Sequence, residues 1–224
     1  MRSMSLARRK RGLLVVLGGV EGPSVIPCAL AAGLTRAGWK GGVFARHWNR
    51  GAPLARVVGN LMSRGRHERE SARLAALLQR QHAQHPGAPL ALVAVSAGCW
   101  IALRAVEKLD GAVRVASLAL LAPAISPAYD LSRAAERCGR IYSVRSPVDW
   151  FYLGLGTTLF GSADRVHGPS AGLRGWRHRP DNLREMCWRP AWARLGYLGN
   201  HTTVCAPGFI RRIVGPWVLA SAEG

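Results

Sequence analysis

The sequence predicts an α/β protein with a mostly parallel sheet flanked by helices. Two observations carry this expectation. Short β-branched apolar runs alternate with helical patterns along the chain, the order expected of strand–helix–strand units. Each candidate strand is also a continuous apolar run, as happens when helices cover both faces of a parallel sheet. The chain has 224 residues, 49% hydrophobic and 19% charged, without a low-complexity block or repeat. That size and composition suit a single globular domain over residues 1–224.

Taken in order, residues 1–11 read as a basic N-terminal tail. The predicted strands are Leu13 to Leu17, Gly42 to Trp48, Leu90 to Val95, Val115 to Leu121 and Arg140 to Val144. Ser24 to Ala37 reads as a helix stopping near Gly38. Ser71, Leu74, Leu77 and Leu78 hold helical spacing within RHERESARLAALLQRQHAQ, an otherwise polar stretch, which predicts an amphipathic helix. Gly98 to Leu109 places Ile101, Ala102 and Ala105 on one face of another. Phe209, Ile210, Ile213 and Val214 form a last apolar stripe, which Gly215 and Pro216 are expected to interrupt. Asn49 to Gly65 and Phe151 to Asn200 read as long irregular segments, a length that in compact domains points to function. The second is expected near the active site.

The formal charge of +19 taken alone would suggest nucleic acid, an anionic membrane or acidic substrates. Only Lys10, Lys40 and Lys108 are lysines, so the charge is nearly all arginine spread along the chain, and a solvated basic surface is the default. The five cysteines are odd in number and never form a C-x-x-C pair, which indicates neither a disulfide framework nor a zinc site and fits a reducing, cytoplasmic compartment. ARRKRGLLVVLGGV has the basic-then-apolar order of a secretory signal as the minority alternative, although no convincing small-residue cleavage site follows. No apolar run reaches the roughly 18 residues of a membrane span.

The chemistry centres on LVAVSAGCWIAL, residues 92–103. An apolar strand ending in serine and turning straight into a helix is the G-x-S-x-G elbow pattern, here with Ala94 at the first glycine position. Such a turn strains the serine backbone and admits only small residues two positions either side, as Ala94 and Gly98 are. It aims the first helical N–H groups at the space where an acyl-transfer oxyanion lies, so Ala97 is the expected donor. The glycine-rich LGGVEGPS after the first strand is expected to supply the second donor from Val20, with Glu21 next. Losing one such donor typically costs roughly 3–4 kcal/mol of transition-state stabilisation.

A serine needs a base oriented by an acid. Chains with this elbow place acid and then histidine after the serine, which leaves His167, His178 and His201. His201, in the late loop YLGNHTT, is the favoured base and His167 the alternative. Asp149 in SPVDW follows the last predicted strand at the same sheet edge as Ser96, with Asp130 in SPAYD as runner-up. Plainer roles stand beside these: Ser96 as a small residue at a tight turn, Asp149 as a helix N-cap before WFYLGLG, His201 as a cap of the terminal segment. His82 and His85 in QHAQHPG have no evident third ligand and read as solvated residues at a helix end. GLGTTLFG lacks the ending of a phosphate loop.

LGGVEG as an oxyanion loop, VSAGC as an elbow, SPVD as an acid turn and GNH as a histidine loop together resemble the α/β-hydrolase superfamily across nearly the whole chain. The resemblance implies a three-layer sandwich and a Ser-Asp-His triad of Ser96, Asp149 and His201, acting as an esterase, lipase or thioesterase-like acyl hydrolase. It departs from the pattern at Ala94 and in lacking a histidine in LGGV. No cofactor or metal is implied. The expected partner is a small-molecule acyl substrate rather than nucleic acid. A membrane surface stays open as a partner without a motif that calls for it, and oligomeric state is unread. The competing class is a catalytically silent protein of this fold acting as a basic binding module. The Trp and Arg residues of GLRGWRHRPDNLREMCWRPAWARLG admit nucleic-acid stacking, a membrane belt, or a cover packed over the active site, of which the cover needs least.

Overall fold

The structure, a computed structural model, describes residues 5–20, 25–48 and 63–222. Six strands form one parallel sheet: β1 (Leu13–Leu17), β2 (Gly42–Arg46), β3 (Leu90–Val95), β4 (Val115–Leu121), β5 (Cys138–Arg145) and β6 (Leu183–Cys187). Their order across the sheet is β2-β1-β3-β4-β5-β6. The chain therefore steps outward from β1 to β2 and then returns to the other side of β1, so the strand order reverses between β1 and β3. In open parallel sheets the crevice at the carboxyl ends of such a strand pair is where ligands bind.

Side-chain alternation splits the core into two layers. Leu13, Val15, Leu17, Leu90, Leu92 and Ala94 pack with α2 (Arg64–Gln84) and α3 (Gly98–Glu107), whereas Leu14, Val16, Ala91, Val93 and Val95 pack with α1 (Ile26–Ala37) and the terminal helical segment. Each fully buried Leu or Val contributes about 1.5–3 kcal/mol, and burial on both faces is why β1, β3 and β4 coincide with their predicted runs.

The departures have local causes. β2 ends at Arg46, not Trp48, because its only neighbour, β1, ends at Leu17, the partner of Arg46. Trp48 turns inward and its indole N–H donates to the Gly18 carbonyl at 2.8 Å. β6 lies inside the stretch expected to be irregular. It is an edge strand with Arg184 exposed and Glu185 inward, where Glu185 accepts from Trp176 N–H at 2.8 Å and pairs with Arg179 at 2.7 Å. Those charges hide the apolar signal a central strand shows. The same stretch also holds helical turns at Phe151–Gly156, Thr157–Phe160, Ala171–Arg174 and Pro190–Leu195. Most of Asn49 to Gly65 lies outside the described residues, although Arg64 and Gly65 already belong to α2. Part of the basic tail is tied down, since Leu6–Arg9 is helical and Arg9 exchanges hydrogen bonds with Gln81 of α2.

Gly215 and Pro216 do not interrupt the terminal stripe. The chain stays helical through Pro207–Phe209, a wider π turn at Ile210–Val214, and α4 (Gly215–Ala220). Pro216 falls in the first turn after the π segment, where its missing N–H forfeits no α-helical bond. Gly215 lets this helix cross α1 closely, because a Cβ there would lie 2.3 Å from that of Ala37. Gly215→Val is therefore expected to overpack the crossing by about 1–3 kcal/mol, lowering Tm by roughly 2–12 °C. Calorimetry checks this, and an unchanged Tm contradicts it.

Candidate active site

Ser96 follows β3 and precedes α3 with φ +55°, a left-handed backbone that costs a non-glycine residue about 1–2 kcal/mol. The strain is held by Ser96 N–H donating to Leu121 O at 3.0 Å and by Cys99 N–H donating to Ser96 O at 3.1 Å. Ala122, one strand over, has φ +49° but offers no reactive side chain, so strain alone does not single out Ser96. Its hydroxyl at the head of a helix does. Gly98 is required here, since a Cβ would stand 2.2 Å from the Gly18 carbonyl oxygen. Ala94 is fully buried beside Leu17 in the β1–β3 register, so alanine fits where the elbow pattern has glycine.

The Ala97 N–H donates to no backbone acceptor among the described residues, as expected of a helix start. Val20 lies in the segment that follows β1, packed against the core. Glu21 lies outside the described residues.

Asp149 and His201 meet. His201 Nδ1 is 2.6 Å from Asp149 Oδ2, with Asp149 buried and His201 half-buried. A carboxylate only accepts, so Nδ1 carries the proton of this bond and Nε2 is the ring nitrogen not engaged by Asp149. No hydrogen bond to either Asp149 carboxyl oxygen caps the helical turn that follows. Burial raises the Asp149 carboxyl above the usual range, and the hydrogen bond and charge of His201 oppose that shift. Its other oxygen, Oδ1, is buried without a hydrogen-bond partner.

The loop carrying His201 is shaped by features that sequence reasoning missed. Gly199, at φ +87°, runs so close to Trp188 that a Cβ would lie 3.0 Å from the indole, whose N–H donates to Tyr197 O at 2.9 Å. Asn200 Oδ1 accepts from Thr203 N–H at 3.0 Å, closing the turn. Tyr152 stacks on the imidazole with centroids 5.0 Å apart and planes at 27°. Nothing in the sequence marks Tyr152 beyond its place three residues after Asp149. Trp176 and Trp192 are core residues rather than exposed platforms, and the Trp176 indole N–H donates to Ser143 Oγ at 2.9 Å.

Ser96, Asp149 and His201 follow β3, β5 and β6, so all three leave the carboxyl edge of the sheet. Among the described residues no hydrogen bond joins the Ser96 hydroxyl to His201, a contact that is often long in unliganded sites. The alternatives lie elsewhere: Asp130 is exposed and accepts from Ser132 N–H at 2.9 Å, and exposed His167 has Nδ1 3.0 Å from the Thr158 carbonyl. No cluster of three His, Cys, Asp or Glu side chains suited to a metal occurs among the described residues. Their cysteines are unpaired, and none of their helices is long and apolar enough to cross a membrane.

This arrangement has known counterparts in architecture. The chain is similar to dienelactone hydrolase from Anabaena variabilis, at 14% identity and TM-score 0.53 over 93% of this chain and 86% of that one. It is similar to a carboxylesterase from Mesorhizobium loti, at 15% identity and TM-score 0.50 over 93% and 88% of the two chains. The esterase domain of a Rhodothermus marinus protein matches at 13% identity and TM-score 0.50 over 95% and 88%. No family model matches the sequence, and no curated protein does. The protein thus has the α/β-hydrolase fold.

The raised Asp149 carboxyl has a pH consequence. A carboxyl held above its unfolded value favours the folded state most below about pH 4, and that contribution is lost as pH rises through the folded value. The Tm difference between the parent and Asp149→Asn should therefore move against the parent as pH increases from about 3.5 to 7. Paired thermal melts measure it; a pH-independent difference contradicts the burial argument.

Proposed function

We propose that the protein is a serine hydrolase cleaving a carboxylic ester or related acyl bond. The observation that carries this is the strained Ser96 at the head of α3, beside the crevice where the strand order reverses. The bonded Asp149–His201 pair on the same sheet edge supports it, and so does the fold shared with esterases.

In this reading Ser96 Oγ attacks the acyl carbon while His201 Nε2 takes its proton. The tetrahedral oxyanion accepts from the N–H groups of Ala97 and Val20. Collapse breaks the bond to the leaving group, which receives the proton from His201, and leaves an acyl-Ser96. Water then attacks as His201 removes its proton, a second tetrahedral species collapses, and the acid product departs with the proton returned to Ser96. Asp149 keeps the imidazole in the productive tautomer throughout.

A fluorophosphonate probe should label the protein at Ser96, with labelling abolished in Ser96→Ala. His201→Ala should lower turnover of an activated ester by about 10³–10⁴-fold. Mass spectrometry of the labelled peptide reads the first result and a chromogenic ester assay the second; folded protein that resists the probe would favour the silent binding module.

A further inference from the structure

The residues from Trp150 to Ala163 include no charged side chain, in a chain of net charge +19. From Trp150 to Phe160 they form a helical segment whose only polar side chains are those of Tyr152, Thr157 and Thr158, yet only one side is buried. Leu153, Gly154 and Thr157 face the core, while Trp150, Phe151, Tyr152, Leu155, Leu159 and Phe160 are 46–61% exposed. A helix apolar on every side is normally covered, and contiguous exposed apolar surface marks an interaction site. The face is continuous with the candidate site, since Trp150, Phe151 and Tyr152 contact one another in series and Tyr152 stacks on His201.

We infer that this face docks on an anionic lipid surface, with the Asp149–His201 pair turned toward the lipid. Charge complementarity selects that occupant. The seven arginines from Arg165 to Arg194 are all exposed, and Asp164, Asp181 and Glu185, the three acids of residues 164–194, do little to offset them. Asp164 is engaged by Ser126 N–H and the Ser162 hydroxyl, and Glu185 by arginine, which leaves Asp181. A second copy of the chain would bring another +19 against the face, whereas an anionic bilayer attracts it. Nucleic acid fits less well: the rings of Trp150, Phe151 and Tyr152 meet at 88° and 89° and offer no parallel platform. Leu155 and Leu159 gain from acyl chains rather than from bases. Exposed aromatic and leucine side chains suit the membrane–water interface, and the arginines exposed on the same chain suit its anionic headgroups.

The docking does not depend on the hydrolase reading and is tested without turnover. Sedimentation with phosphatidylglycerol-containing vesicles should show binding that weakens with salt, is weaker to pure phosphatidylcholine, and falls by roughly tenfold or more in the folded double variant Leu159→Ser/Phe160→Ser. Ser96→Ala should bind like the parent. As a second measurement on a chain with its leucines intact, brominated lipid should quench tryptophan fluorescence less in Trp150→Phe than in the parent. The inference is overturned by absence of binding at low salt, by a folded double variant that binds as tightly as the parent, by equal quenching in Trp150→Phe, or by a concentration-dependent dimer that the same substitutions abolish.

Discussion

Much of the molecule depends on one close approach, that of Gly98 to the Gly18 carbonyl. With no Cβ at Gly98, the start of α3 can sit against the end of β1, where a side chain would have met the carbonyl oxygen at 2.2 Å. That contact brings together the first N–H groups of α3, the loop after β1 and the strained Ser96. Trp48 reinforces it from the far side by donating to the same Gly18 carbonyl. The reversal of strand order between β1 and β3 opens the crevice at this point, so the tightest backbone packing and the candidate chemistry share one place.

The same region holds the costs that a purely stable fold would avoid. Ser96 occupies a left-handed backbone, and Asp149 is a buried carboxyl with one oxygen unpartnered. Removing a charge from water is expensive unless it is well paired, and Asp149 has only His201 to offset the burial. Two apolar layers carry the stability that offsets these terms, and the sheet between them is rigid enough to hold three loops at one edge. Local strain concentrated at a site and supported by the surrounding packing is the usual arrangement of functional residues.

The surface follows a different logic. Arginine is spread along it, and the ion pairs that arginine and lysine make go to a small set of glutamates, among them Glu68, Glu70, Glu107 and Glu185. With 31 basic against 12 acidic residues, the chain carries more than two cations for each acid. Against that background the uncharged Trp150–Phe160 face stands apart. It begins one residue after Asp149, so the element that presents the acid also presents the apolar surface.

The parallel sheet and the order of the candidate-site loops along the chain are legible without coordinates. Strands buried on both faces are apolar throughout, so β1, β3 and β4 are legible residue by residue. The small residues around Ser96 are a steric requirement readable without coordinates, and chain order pointed to Asp149 and His201. Tertiary structure decided the rest. It set β6, whose Arg184 and Glu185 are acceptable only because an edge strand has one open side and Arg179 lies within reach. It carried the terminal helix through Pro216 by a π turn, and paired Asp149 with His201 rather than using it as a cap. It also set Tyr152 and Trp188 around the histidine loop, contacts between residues distant in sequence that leave no local periodicity. Periodicity reports which face of an element is covered; only the folded chain specifies what covers it.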